Sequence, residues 1–569
     1  NLTYSGKRWT LDGSGNIILE DVTGQHKNAN VYYVYQSTSG DSKYGIADNR
    51  KLCGFRDNEF TPPLYEPVQG PDGQSWSEYI TNNRNVKDVI EMWDDGVNVR
   101  GASAENEQHI GVAKVRDAGR THTENHIKVT GRDSMFMLLV DNIYTTSQQN
   151  SVGRSQGGIT YIPSGNTSLN IDLVGDNRVA YVHINNTATD VITIEGSGSL
   201  TAADADFLTK VSSKVDDTYG DTNHDYGSNY WNSAIGNNDT GSGDLYNLNM
   251  NSGVIFAGTT KVESCTAMGA GGNGYGEVFI NGGSVTAVAT TTGTAIGGGI
   301  GFNSAGGKGL VKITGGNVYA YNFANRWGIP SSAIGGAGTK FSDATHGEIE
   351  IMGGNVYAES DLGTAIGGGS SYAKQGGTAK ITISGGKVVA KSNTLSAGIG
   401  GGCSYTEGFT ETSNTSNLNG GNAEIIITGN PIVRTGSIGG GTTGANNGKI
   451  GSAQITIDGG DIQAQFVMMD ADSKNPPKFE MKSGTIRNSD TSDSEYRHIR
   501  DYGGAVFMEN GSFVMSGGTI KNCSAIKGGA VYITDPNPSD SNVPKFEMSG
   551  DAKIEHCVAS TDGGGVYLD

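Results

Sequence analysis

The sequence predicts an all-β fold: a right-handed parallel β-helix, a solenoid of glycine-rich coils, with a small mixed capping domain at its N-terminus. Three observations carry this. A strand that ends in Gly-Gly and is followed by an Ala-Ile-Gly-Gly-Gly turn recurs roughly every 28 to 39 residues. Apolar positions within each strand alternate with polar ones, which turns one face of every strand inward. Glycine fills 89 of 569 positions against 12 prolines, about twice its ordinary share or more, without the strict three-residue period of collagen.

The turn phrase reads Ser233-Ala234-Ile235-Gly236, Thr294-Ala295-Ile296-Gly297-Gly298-Gly299, Ser332-Ala333-Ile334-Gly335-Gly336 and Thr364-Ala365-Ile366-Gly367-Gly368-Gly369, then more loosely at 399–402 and 438–441. The strand phrase Val311-Lys312-Ile313-Thr314-Gly315-Gly316-Asn317-Val318-Tyr319-Ala320 is echoed from Ile349, Ile381 and Ile455. Glycine pairs supply the positive-φ corners that let a coil turn tightly. Stacking then places Ile313, Ile351, Ile383 and Ile457 in one interior ladder and Val318, Val356, Val388 and Ile462 in another.

Residues 1–120 read as the capping domain. They are poorer in Gly-Gly turns, and Ile80, Val86, Val89, Ile90 and Trp93 fall on one stripe of an amphipathic helix spanning 77–93. An open β-helix end needs such a cover. Residues 121–569 read as the β-helix with its substrate loops. Its first, irregular coils start near His126, a polar insertion at 216–230 precedes the regular repeat, and from about 480 the phrase shifts to Gly503-Gly504-Ala505-Val506-Phe507.

The formal charge of −19, from 40 basic and 59 acidic residues, argues against nucleic acid as a partner, because phosphate binding needs a basic surface. A neutral glycan fits better. No stretch approaches the roughly 18 apolar residues of a membrane span, and Asn1-Leu2-Thr3-Tyr4 does not open a secretory signal. The expectation is a trimmed, monomeric, extracellular chain attached to a cell surface through a region beyond Asp569. A separate folding chaperone stands as an open second partner. Cys53, Cys265, Cys403, Cys523 and Cys557 are odd in number, which excludes a full disulfide framework. Cys523 and Cys557 follow matching phrases and read as apolar ladder residues on adjacent coils.

On a β-helix, function gathers where loops of unequal length leave one edge. One insertion, 321–330, carries Phe323, Arg326 and Trp327 where other coils have small polar residues, and Trp231 stands in a comparable place before Ser233. An indole face suits the apolar face of a pyranose, although covering a seam between coils is the plainer role. A second set of loops follows the triple-glycine turns. It brings Tyr405, Glu407 and Glu411, Asp343, and Asp470 with Asp472 toward one candidate acidic cleft. Paired carboxylates are what glycoside hydrolysis needs, at about 5 Å or 6.5–9.5 Å. In-register coils about 4.8 Å apart reach the shorter spacing. Asp470 and Asp472 are taken as nucleophile and acid/base, with Glu407, Glu411 and Asp343 in reserve. The plainer reading makes them solvated loop acids.

Asp461 and Glu350 fall at outward positions occupied elsewhere by any polar residue and are read as structural. No cofactor is required. Asp216, Asp217, Asp221 and Asp225 form the one cluster suited to a structural Ca²⁺, since loop carboxylates and carbonyls supply oxygen ligands. His122 and His126 lack the His-Glu-x-x-His order of a zinc helix.

The Ala-Ile-Gly-Gly-Gly and Ile-Thr-Gly-Gly-Asn-Val-Tyr-Ala phrases resemble large surface proteins of Gram-positive gut bacteria, and the layout of cap plus glycine-rich β-helix resembles glycoside hydrolase family 136. The resemblance covers the layout of the whole chain. It implies a lacto-N-biosidase-like enzyme that releases the disaccharide lacto-N-biose from milk-type glycans by retention, through two Asp residues seven positions apart. No such pair stands in the loop-bearing coils. The leading expectation is an extracellular retaining glycosidase acting on milk or host oligosaccharides. The alternative is a non-catalytic adhesin that displays a glycan-binding face. A polysaccharide lyase ranks third, because Arg326 is the one obvious cation beside the expected cleft and an acidic polymer suits a charge of −19 poorly.

Overall fold

The computed structural model describes the strand backbone of 3–4, 7–11, 17–21, 89–93, 96–100, 126–132 and 135–141. From 158 onward it describes the chain except for 165–167, 180, 204–232, 238–242, 260–265, 290–292, 302–304, 323–329, 340, 372–373, 393–395, 405–417, 444–447, 470–474, 489–499 and 536–542. Among the described residues every regular element is a strand. The architecture is a parallel β-helix.

In the regular coils the chain passes through three parallel faces, and in the later coils Arg500–Tyr502, Ser524–Lys527 and Val558–Asp562 form a further parallel sheet. Ile334–Gly335 lies on the first face, Gly347–Ile351 on the second and Asn355–Ser360 on the third, and the chain returns to the first face at Ile366–Gly367. The first-face ladder Ile235, Met268, Ile296, Ile334, Ile366, Ile399, Ile438 and Phe466 is in register. Subtracting those numbers gives steps of 33, 28, 38, 32, 33, 39 and 28 residues. The second face stacks Ile313, Ile351, Ile383, Ile427 and Ile457, and the third stacks Val318, Val356, Val388, Val433 and Ile462, as the strand phrase predicts. All these side chains are buried. Each contributes about 1.5–3 kcal/mol by leaving water.

Glycine makes the corners. Gly283, Gly316, Gly354, Gly386 and Gly460 turn the chain from the second face to the third with φ between 74° and 84°, where a Cβ would strain the backbone. At 429–431 the phrase is Gly-Asn-Pro, and the register slips between Gly429 and Ile432.

The N-terminal expectation needs one correction. Residues 77–88 lie outside the described residues, but Val89–Trp93 is a strand, antiparallel to Gly96–Arg100, and not part of a helix. Gly96–Arg100 in turn pairs in parallel with His126–Arg132, so this hairpin is continuous with the solenoid ladder. Val-Ile-Glu-Met-Trp is a short apolar run whose type periodicity alone cannot assign, and its β-branched and aromatic residues favour a pleated strand. Thr3–Tyr4, Lys7–Leu11 and Ile17–Asp21 form a separate antiparallel meander.

Candidate functional site

Two rows of connecting segments flank the short first-face strand in the chain order, one at each end. The row between the third and first faces includes 204–232, bounded by Ala203 and Ser233, and 323–329, bounded by Asn322 and Pro330. Phe323, Arg326, Trp327, Trp231, Asp216, Asp217, Asp221 and Asp225 all belong to this row and lie outside the described residues. The row between the first and second faces holds Asp343 together with Tyr405, Glu407, Glu411, Asp470 and Asp472. Of these, Asp343 alone is described.

The two rows share a base. Ser331, at the end of the aromatic-bearing insertion, accepts a hydrogen bond at Oγ from the Gly338 N–H at 3.0 Å, and Gly338 is where the Asp343 loop departs. Asn322 seals the same corner from below. It is fully buried, and its amide donates to the carbonyls of Gly293 at 2.7 Å and Ser331 at 3.2 Å.

The described residues that open the second row stand side by side. Gly301, Thr339, Ser371, Ser404 and Thr443 bridge one another in sequence, each on the next coil. Beneath them the necks are glycine. Gly377 N–H donates to Gly369 O, Gly402 to Gly377, Gly421 to Gly402, and Gly441 to Gly421, each at 2.8 Å. A Cβ on Gly402 would lie 1.7 Å from the Gly369 carbonyl oxygen, so only glycine allows this approach. The neck is a backbone ladder that fixes where each loop starts and ends. Asp343 is exposed, and its Oδ1 accepts from the Gln375 N–H of the next coil at 3.3 Å.

Along this edge, the residue before each second-face strand forms a column: Tyr275, Lys308, His346 and Thr378. Each is tied to its neighbour by a Gly N–H, from Gly276 to Lys308 O, Gly309 to His346 O and Gly347 to Thr378 O. Tyr246 joins the column, its ring 5.6 Å from that of Tyr275. Asp244 accepts from the Tyr275 N–H at 2.7 Å and the Tyr246 hydroxyl at 3.0 Å. Glu277 and Glu348 stand two coils apart in one register column, separated by Leu310. That is about 9.6 Å at the usual strand spacing. Burial, then the charges of Glu277 and Glu348, push the Tyr275 hydroxyl up to about 12. Burial lowers the His346 imidazole, against the pull of Glu348. The edge therefore joins two half-buried tyrosines, a histidine, a lysine and three carboxylates.

A smaller group lies on the third face where the 323–329 insertion begins. The Tyr357 hydroxyl donates to Glu359 Oε2 at 2.7 Å, Lys391 Nζ is 3.5 Å from Glu359 Oε1, and the Tyr321 and Tyr357 rings are 5.6 Å apart. The residues read as structural behave so. Glu350 pairs with Lys312 at 3.0 Å, and Asp461 is held between Arg434 at 2.7 Å and Arg487 at 3.0 Å. Burial alone would raise the Asp461 carboxyl, but hydrogen bonds from Arg487 and Arg434 bring it below the usual range.

Sequence reading did not single out Tyr246, Tyr275, His346, Asp244, Glu277 or Glu348. The available signal was positional. Tyr275, Lys308 and His346 each directly precede the glycine that opens a second-face strand, so aligning the coils on that glycine brings them together. An Asp pair at seven-residue spacing does occur farther along, at Asp562 and Asp569. Asp562 lies 3.8 Å from Lys527 Nζ, and Asp569 accepts from the Tyr532 hydroxyl at 2.8 Å. There Phe507, Tyr532 and Tyr567 stack on one another at 5.7 and 5.4 Å. Tyr532 is stacked on both sides, and Lys527 Nζ lies 4.9 Å over the Tyr567 ring.

Among the described residues no group of three or more His, Cys, Asp or Glu is arranged to hold a metal ion, and no helix is long and apolar enough to cross a membrane. Comparison with known proteins finds no matching family model, no similar characterised protein and no similar solved structure.

Proposed function

We propose that this β-helix works outside the cell, attached to its surface, and recognises oligosaccharides of milk or host-glycan type along the edge between its first and second faces. One observation carries the reading: Tyr246 and Tyr275 stand beside Asp244, Glu277 and Glu348 on the edge from which the acid-bearing loops leave. Tyrosine rings offer apolar area with a polar tip. Carboxylates accept from sugar hydroxyls, and charged acceptors form the stronger bonds.

Hydrolysis is the activity proposed for the same edge. The pair in a retaining reaction would be Asp470 and Asp472, with Asp343, Glu407 and Glu411 in reserve and Phe323, Arg326 and Trp327 contacting sugar from the neighbouring row. Glu277 and Glu348, two coils apart on this edge, are further carboxylates that would face a bound sugar. The test is incubation of the whole chain with milk-type and mucin-type oligosaccharides, with products read by mass spectrometry and binding by titration. Release of a disaccharide supports the hydrolase. Binding without release supports a glycan-displaying adhesin at this edge, and neither outcome leaves the proposal standing if Tyr275→Ala binds as well as the parent.

A further inference from the structure

Cys523 and Cys557 occupy the same corner of adjacent coils. Ile520 pairs with Ile554, Lys521 with Glu555 and Ser524 with Val558, so the two cysteines are in register, and the Val558 N–H donates to Cys523 O at 2.9 Å. The residue before each, Asn522 and His556, has a left-handed backbone, with φ of 54° and 52°. Each sulfur lies 3.3 Å from the carbonyl two residues back, Lys521 O and Glu555 O. In-register parallel strands sit about 4.8 Å apart, inside the Cα separation of about 4.4–6.8 Å that a disulfide accepts. Both cysteines are free thiols.

We propose that Cys523 and Cys557 are a thiol pair that closes into a disulfide joining the two coils, with Cys557 as the attacking thiol and a small-molecule disulfide as oxidant. Cys557 is half-buried, whereas Cys523 is 1 % exposed. A hydrogen bond from Cys523 lowers the Cys557 thiol, and that same bond together with burial raises Cys523. The Cys557 thiolate attacks one sulfur of the oxidant, forms a mixed disulfide and expels a thiolate. Cys523 gives up its proton and attacks the Cys557 sulfur, and the second oxidant thiolate leaves. The protein loses two protons and two electrons, and one oxidant molecule takes them up to become two thiols.

To test the proposal, the reduced 569-residue chain is treated with oxidised glutathione, remaining thiols are alkylated under denaturing conditions, and peptides are mapped by mass spectrometry. The expected result is a single cross-linked species joining the Cys523 and Cys557 peptides. Cys523→Ser should instead retain glutathione on Cys557. A wild-type chain that keeps glutathione on Cys557, pairs either cysteine elsewhere, or leaves both fully alkylated would overturn the proposal.

Discussion

The coils from Ile235 to Ile438 and those from Val506 to Leu568 share the first-face ladder but leave it in different ways. In the earlier coils each ladder residue is followed by Gly236, Gly269, Gly297, Gly335, Gly367, Gly400 or Gly439, with φ between 130° and 149°. From Ile235–Gly236 to Ile399–Gly400 the first-face strand is two residues long, and Ile438–Gly439 ends the longer strand Ala423–Gly439. In the later coils the same register position holds Phe507, Tyr532 and Tyr567, and strands such as Val506–Glu509 and Val531–Thr534 run on as regular β structure. Val467, paired with both Gly439 and Phe507, marks the change. A buried ladder sets the stacking, and the residue after it is glycine up to Gly439 and a larger residue from Val467 onward. The tyrosine–carboxylate edge lies on glycine-cornered coils, while Phe507, Tyr532 and Tyr567 stack on one another in the later ones.

The sharpest way to break this comparison is to put a side chain where the glycine stands. A Cβ on Gly367 would lie 1.8 Å from Gly400 O, at φ 148°. Gly367→Ala is expected to cost about 4 kcal/mol or more, in the range reserved for severe lesions. Val467→Ala, at the same ladder position, is expected to cost about 1 kcal/mol, typical of an ordinary substitution. Urea unfolding of both variants gives the contrast, and equal midpoints would refute it.

Next in size is the interior. Phe513 is buried between Phe479 and Phe546, with ring centroids at 4.8 and 5.2 Å. Phe513→Ala should cost about 3–5 kcal/mol, against about 0.5–1.5 for Ile383→Val in the glycine-cornered coils.

A smaller effect comes from acid. His183 is buried, stacked on Tyr181 at 3.7 Å, and burial lowers its imidazole to about 3. The unfolded chain takes up this proton near the ordinary value of 6.5, while the folded chain resists. Stability from this group is therefore full above pH 6.5, declines as pH falls toward 3, and totals a few kcal/mol, roughly, by linkage. His183→Gln should flatten that part of a urea-midpoint profile against pH, and an unchanged slope would show that His183 is not the source.

Much of the fold was legible in sequence because stacking repeats one phrase. Ile313, Ile351, Ile383 and Ile457 announce their ladder through identical spacing to a Gly-Gly pair. Asp461 was read as structural for the same reason, since its column accepts Asn, Lys and Thr. The helix over 77–93 failed at Val89–Trp93 because five residues contain too few turns for a period to decide. The site was less legible. Tyr275 and His346 are single residues at a position where other coils carry Lys308 and Thr378, and Glu277 and Glu348 share a register column only once strands are paired. Cross-coil geometry creates that edge, and one strand read alone does not contain it.

The most direct test of the central claim compares the two aromatic groups by titration with the oligosaccharide that binds best. Tyr246→Ala/Tyr275→Ala is expected to weaken binding about tenfold or more, which is 1.4 kcal/mol, with folding retained. Tyr532→Ala is expected to lower the unfolding midpoint and leave affinity unchanged. The reverse pattern, with affinity lost at Tyr532 and kept at Tyr275, would contradict the account and move the site to the later coils.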